Sequence, residues 1–298
     1  MSSRFLAPDL SLLAPAKLIE EIDAETILAS QKAWVLARWA EIRVSRPDLP
    51  VLDTLGLETE PMTILLQAYA YRETLLRALV NDKARAVLLA YATGTDLDHL
   101  GALIGVVRME IATGVMESDE RLRRRIQLAP EAFSVAGPRG AYIFHALTID
   151  GSVADAWAYS PRDGEVIVVV AGEAGADLSG AVLEKLVDRF EREDTVPLTD
   201  AVMVRRAERI DYAVEETITV PRGPDQNLLR TKAIEAITAY GASRCRIGAT
   251  VFRSGLITAA AVGGVEGVEL QVPAVNVVPA QYQIPRLTGV VVNVNIRE

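Results

Sequence analysis

Cysteine is nearly absent, with Cys245 the one thiol in 298 residues. That excludes an intrachain disulfide and fits assembly in a reducing cytosol. Histidine is almost as scarce: only His99 and His145 occur, and neither stands in a metal-ligand spacing. Long apolar runs are missing too. The longest begins at Gly255 and stops at Glu266, with Arg253 close before it, well short of the roughly 20 residues that cross a bilayer. The first residues, Met-Ser-Ser-Arg-Phe-Leu-Ala-Pro, put a proline where a signal peptide carries its apolar core. The expectation is a soluble chain with no membrane insertion and no cleavable export signal. Positive charge is in deficit, 31 basic against 40 acidic side chains for a formal −9. Such an average field repels duplex nucleic acid and predicts no nucleic-acid partner.

What remains is an ordinary globular composition, half apolar and a quarter charged. The length suggests about two or three domains. The pattern predicts an α+β, multidomain chain: a helical N-terminal region over 1–110, a first α/β module over 111–208 and a second over 209–298.

The front third reads almost wholly as helix. Phe5, Pro8, Leu10, Leu12, Leu13 and Pro15 describe an extended arm with apolar anchors, which becomes ordered only against a surface. A helix opens at Asp23, carries Ile27, Trp34, Leu36 and Trp39, and ends before Pro47 and Pro50. The next is the clearest: Thr59 as cap, Glu60 at the positive end and Pro61 in the first turn. Leu65, Tyr69, Arg72, Leu76 and Leu79 then recur at steps of four and three, a ridge shaped for another helix. The same helix is expected to run past Leu88 to Gly94, where Thr95-Asp96-Leu97-Asp98 reads as a capping box for a short successor.

From Glu117 the texture changes. Glu117 to Arg125 starts a helix in which Asp119 precedes Arg123, and Glu120 precedes Arg124, by four residues, the favourable order for surface ion pairs. Ser134-Val135-Ala136-Gly137-Pro138 breaks it. A helix near 141–147, strands near 153–159 and 166–170, and a helix over 178–190 follow. The last module opens on a strand, Ile210 to Val220, with one wet face, and Glu216 on its apolar side is expected at an edge or a partner. Helices from Asp225 and over 250–262 precede strands near 265–272 and 290–296. Gly151-Ser152-Val153 with Pro161, and Gly263-Gly264-Val265 with Pro273, give a faint internal echo between the modules.

Chemistry-bearing patterns are few. Gly-x-Ser-x-Gly, P-loop and His-Glu-x-x-His motifs do not occur. Asp96, Asp98 and His99 are consecutive enough to suggest a metal, but neighbouring helical side chains diverge, and the capping box already employs both acids. Cys245 between Arg244 and Arg246 reads as a lone, partly buried thiol. The cluster Arg121 to Arg125, with its acidic lead-in, reads as a salt-laced helix face. Arg72 is the informative charge: within an apolar ridge a guanidinium either snorkels to water or meets an acceptor on a partner helix and fixes register.

Against this background, Glu60-Pro61, Leu65-Leu66, Ala70-Tyr71-Arg72-Glu73, Arg77, Val80-Asn81, Ala84-Arg85-Ala86-Val87, Leu89-Ala90, Gly94 and Asp96-Leu97-Asp98 resemble the N-terminal signature of the baseplate J-like proteins. These are wedge components of contractile phage tails and R-type bacteriocins. Glu117-Ser118-Asp119, Arg123 to Ile126, Ser134 to Pro138, Ala141-Tyr142 and Val153-Ala154-Asp155 resemble the family's second signature. The last ninety or so residues share only position and texture with it.

The resemblance implies a structural, non-enzymatic protein: a heterotrimeric wedge of two copies and one smaller wedge protein, joined through N-terminal helices. It further implies that neighbouring wedges close a ring around the hub and transmit the trigger for sheath contraction, with a lysozyme-like wedge protein linking ring to sheath. Such a protein assembles in the host bacterial cytoplasm and ends in the tail baseplate of the particle. No catalytic residue, cofactor or metal is implied. Leu65, Tyr69, Arg72, Leu76 and Leu79 are then the expected partner interface, with 105–117 and 205–210 as candidate hinges. The competing expectation is an α/β hydrolase or carbohydrate-processing enzyme using paired carboxylates from Asp155, Glu165, Glu215 and Glu216.

Overall fold

A computed structural model describes residues 10–14, 16–17, 19–134, 137–192, 195–197, 199–223 and 225–297. Among them, those up to Ala102 form one compact unit and those from Leu103 onward another.

The first unit is built on a helical hairpin. Helix α1, Ala24–Ser45, starts where the Asp23 carboxylate accepts the Glu25 amide at 3.0 Å, which satisfies an orphan N–H of the first turn. Helix α2, Pro61–Ala86, follows a 3-10 turn at Thr54–Gly56. Its N-cap position belongs to Glu60, which makes no capping bond, so Thr59 does not cap it as expected. Nor does the helix continue past Leu88. The chain turns over 87–91, with the Tyr91 and Ala92 amides both donating to the Leu88 carbonyl, and Ala92 is buried by that turn. Helix α3, Gly94–Ala102, opens on Gly94 at φ 54°, so Thr95 lies inside the first turn and not ahead of it. Of the arm, Leu12 and Leu13 are exposed, while Phe5, Pro8 and Pro15 lie outside the described residues.

The second unit begins with a small hairpin, β1 Glu110–Ala112 and β2 Val115–Met116, turning at Gly114 with φ 74°. Helix α4, Asp119–Leu128, is capped by Ser118, whose hydroxyl accepts the Arg121 amide. After a 3-10 turn at Ala129–Phe133 come α5 Arg139–Ile149, β3 Asp155–Tyr159, β4 Glu165–Ala171, α6 Gly180–Phe190 and β5 Ala201–Arg206. Of the expected breaker, Val135 and Ala136 lie outside the described residues. The final stretch is β6 Glu208–Val220, α7 Gln226–Arg244, α8 Arg253–Ala260, β7 Gly267–Val272 and β8 Gln283–Ile296.

Each module holds a three-stranded sheet, in the orders β3-β4-β5 and β7-β6-β8. In both, the central strand has one antiparallel neighbour (β3, β7) and one parallel neighbour (β5, β8). The build is alike but the path is not. The antiparallel strand precedes the centre in the first module and follows it in the second; the Gly-x-Val echo leads into that antiparallel strand in both, but the strand after Pro161 is the central β4 and the strand after Pro273 is the edge strand β8. Parallel neighbours demand a crossover, which α6 supplies in one sheet and the α7–α8 pair in the other.

The modules share a core. Ile247 and Ile284, from the second, are buried in the same cluster as Trp157, Val168, Val169, Leu186 and Phe190 of the first. Only Ala207 separates β5 from β6. Its amide donates to Val170 at 2.9 Å, and the next amide, of Glu208, donates to Tyr282 at 3.0 Å. The expected hinge at 205–210 is therefore replaced by backbone pinned on both sides.

The arginine cluster also departs from expectation. Glu117 is buried; its carboxylate accepts from Arg125 and from the Met109 amide at 3.0 Å, and Arg121 lies 3.2 Å away. Burial pulls the Arg125 guanidinium below its ordinary pKa, with Glu117 opposing the shift. Arg124 turns to Asp155 at 2.6 Å and leaves Glu120 to a long contact with Arg246 at 3.9 Å. Arg108 reaches Asp119 at 2.6 Å and the Glu117 carbonyl at 2.7 Å. The cluster is thus an internal scaffold, not a solvated face, and it clamps residues 108–117 onto α4 where a hinge was expected. At Gly151 a Cβ would stand 2.6 Å from the Ile111 Cα, so the β1–β2 hairpin packs directly on the end of α5.

Glu216 is the clearest correction. It is fully buried on the central strand of its sheet, at neither an edge nor a partner surface.

Removing one member of a buried ion cluster strands the others without compensation. Glu117→Ala is expected to lower the unfolding free energy of the second unit by about 3–5 kcal/mol. Urea denaturation followed by Trp157 fluorescence in a Trp34→Phe, Trp39→Phe background, beside Glu120→Ala as a near-neutral control, checks this.

Candidate interaction surface

Helix α2 is apolar on more than one side, and α1 covers only one of them. Thr63, Leu66, Ala70 and Asn81 form the buried face. The Thr63 hydroxyl donates to the Leu55 carbonyl at 3.0 Å. Asn81 acts as a two-way clasp, accepting the Glu20 amide at 3.0 Å and donating to the Glu20 carbonyl at 2.8 Å. Gln31 of α1 donates to Glu73 at 3.0 Å. Glu73 also holds Arg77 at 2.7 Å, and chiefly that bond, then Gln31, keeps its carboxyl below the usual range.

The predicted ridge lies outside this buried face. Leu65, Tyr69, Leu76 and Leu79 are between 49% and 61% exposed. Tyr71 and Leu75 join them, and a shallow, open groove is lined by Ala68, Tyr71, Arg72, Leu75, Leu76 and Leu79. Arg72 is exposed within it and finds no carboxylate among the described residues. On α1, Trp34 and Val44 are exposed as well, whereas Ile27 is buried and Trp39 donates its indole N–H to the Pro50 carbonyl at 3.0 Å. Apolar surface gathered this densely on one hairpin has the character of a contact surface rather than scattered exposure.

The residues weighed for catalysis are not brought together. Asp155 is committed to Arg124 and to the Ile247 amide, which it accepts at 2.8 Å. Glu165 pairs with Arg162 at 2.6 Å. Glu215 is exposed and Glu216 buried, because adjacent strand residues point to opposite faces. Asp96 and His99 are exposed on α3, while His145 is buried beside Arg189, 3.3 Å from its Nδ1. Among the described residues no group of three or more His, Cys, Asp or Glu side chains is placed to hold a metal, and no helix is long and apolar enough to cross a membrane. The Cys245 thiol is pushed up by burial, then by Asp155 and Glu173, away from the reactive thiolate. Sequence reasoning missed Glu117 and Asp155 as scaffold acids. Their spacing from Arg121, Arg124 and Arg125 carries no signal of the tertiary contacts they make.

Comparison with known proteins supplies the context. Three family models match in chain order: the Baseplate J-like N-terminal domain over residues 58–114, the Baseplate J-like central domain over 134–206 and the Baseplate J-like protein C-terminal domain over 212–293. The chain is also 36% identical over 281 residues to Baseplate protein J of Escherichia phage P2, covering 91% of this chain and 92% of that protein.

The two sides of α2 should separate by mutation. Leu76→Glu, on the open ridge, is expected to change unfolding free energy by no more than about 0.5 kcal/mol. Leu66→Ala, on the covered face, should cost about 2–5 kcal/mol. Thermal and urea unfolding by circular dichroism distinguish them; equal losses would mean the ridge is already packed.

Proposed function

Since the chain belongs to the baseplate J-like family, we propose that it is a structural subunit of a phage tail baseplate, working through contacts with other baseplate proteins. Its place is the tail baseplate of the virion. The finer reading is a wedge: two copies and one smaller wedge protein joined through the N-terminal helices. Neighbouring wedges close a ring about the hub, and a lysozyme-like wedge protein links that ring to the sheath.

The observation that carries this reading is the uncovered ridge of α2. Leu65, Tyr69, Leu76 and Leu79 are exposed while α1 occupies a different face of the same helix. Burying such a ridge against helices of sister molecules gains about 25 cal/mol per Å² of apolar surface. Arg72, within the ridge, meets a carboxylate or carbonyl there and fixes the register, in the way a single polar group among apolar neighbours selects one alignment. The second unit suits transmission, because its shared core and clamped ion cluster make it move as one body. Assembly takes place in the bacterial cytoplasm, consistent with a single, unpaired cysteine.

Co-expression with the neighbouring tail proteins, followed by native mass spectrometry, tests the composition. A complex of two copies with one smaller protein is expected, and negative-stain images should show sixfold rings. Leu76→Glu should abolish the complex, and Arg72→Met should leave a complex of mixed or shifted register, read by cross-linking between α2 helices. A stable, monodisperse monomer in the presence of those partners would refute the wedge.

A further inference from the structure

Glu216 sits on the central strand of the last sheet, facing an apolar cluster that includes Val214, Ile218, Leu256 and Val292. It is fully buried, and neither carboxylate oxygen has a hydrogen-bond partner. Its cross-strand neighbours are Leu270 on β7 and Val292 on β8, which offer no side-chain donor. From β6 itself Tyr212 enters the cluster, and from α7 Tyr240, whose hydroxyl receives the Phe252 amide at 3.3 Å. The charged group acting on Glu216 is Arg253 of α8.

Arg253 is engaged elsewhere. Its guanidinium donates to the Pro273 carbonyl and, at 3.0 Å, to the Leu270 carbonyl, while its own amide donates to the Asn276 side chain at 2.9 Å. One residue therefore fastens the end of β7 and the start of the segment leading to β8. That segment presents Val275 and Val278 to solvent, and the bridge between Val251 and Val277 anchors its far side.

We propose that Glu216 and Arg253 form a proton-controlled latch on the segment after β7. With Glu216 protonated, Arg253 holds the Leu270 and Pro273 carbonyls and the segment is closed. When Glu216 releases its proton to solvent, the bare carboxylate in its apolar cluster attracts the Arg253 guanidinium, which already lies on the carbonyl of Leu270, the cross-strand neighbour of Glu216. The guanidinium swings to it and lets go of the Leu270 and Pro273 carbonyls, so residues 272–275 are freed, while the Arg253 amide still holds Asn276 and the Val251–Val277 bridge is the pivot. Burial pushes the Glu216 carboxyl up to about 7, with Arg253 opposing, so the change falls near neutral pH. The sign follows from an acid whose folded pKa lies above its unfolded one: the closed state is favoured at lower pH and lost as pH rises through about 7.

The test is amide hydrogen exchange on the full chain, comparing wild type with Glu216→Gln at each pH so that intrinsic exchange chemistry cancels. The wild-type to variant rate ratio for the amides of Val272, Ala274 and Val275 should be near one at about pH 6 and rise at least about fivefold by about pH 8.5, while β4 amides stay at one. Arg253→Met should exchange fast in this segment at both pH values. A ratio independent of pH overturns the latch, and so does a rise spread evenly over the second unit, which would place the effect in the core. Should Glu216→Gln fail to fold, the carbon shift of the Glu216 carboxyl in the wild-type chain decides: titration near 4.5 overturns the proposal.

Discussion

A helix has room for one buried stripe per neighbour, and α2 carries more apolar surface than α1 covers. That constraint shapes the whole N-terminal unit. The stripe through Leu66 and Ala70 is closed by α1 and fixed by Asn81 clasping the backbone of Glu20. The ridge through Leu65, Tyr69, Leu76 and Leu79 is left for something outside the hairpin. Exposed apolar groups on a monomer cost solubility and oppose selection unless a partner covers them. On the function proposed above, the hairpin is half of an interface, stable enough by its inner face to present its outer one.

The second unit solves a different problem. Two small sheets, each too small to enclose a large core, are fused because one lends side chains to the other: Ile247 and Ile284 of the second module complete the core of the first. Asp155 reinforces the junction, accepting Arg124 from one side and the Ile247 amide from the other. Such buried charge clusters are weak sources of stability, but any slip of one element leaves a charge bare. A rigid body of this kind suits a subunit whose neighbours must meet it at defined angles.

Much of this was legible in the chain. The starts of α1 and α4, the 3.6-residue periodicity of α2, the alternation in β6 and the absence of catalytic motifs all follow from local rules, and the family resemblance rested on contiguous runs of residues. The misses have a common cause. Glu120–Arg124 looks like a surface pair because sequence sees only neighbours four apart, yet Arg124 finds Asp155, 31 positions away. The stop at Ala86 is invisible to helix propensity, because it serves to bury Ala92. Glu216 reads as an edge residue because an acid in an apolar strand is expensive, and only the sheet order reveals that the strand is central.

By itself, then, the sequence determined the helices α1 to α8 and the strands β3, β4, β6, β7 and β8, their two periodicities and the ridge on α2, but neither β5 nor the β1–β2 hairpin, since the former depend on groups within a turn or two of one another. The tertiary structure alone decided which stripe of α2 is covered, how the two sheets interlock, and where the arginines of α4 spend their charge. Those outcomes turn on contacts between residues tens of positions apart, whose energies depend on burial and geometry that no local pattern encodes.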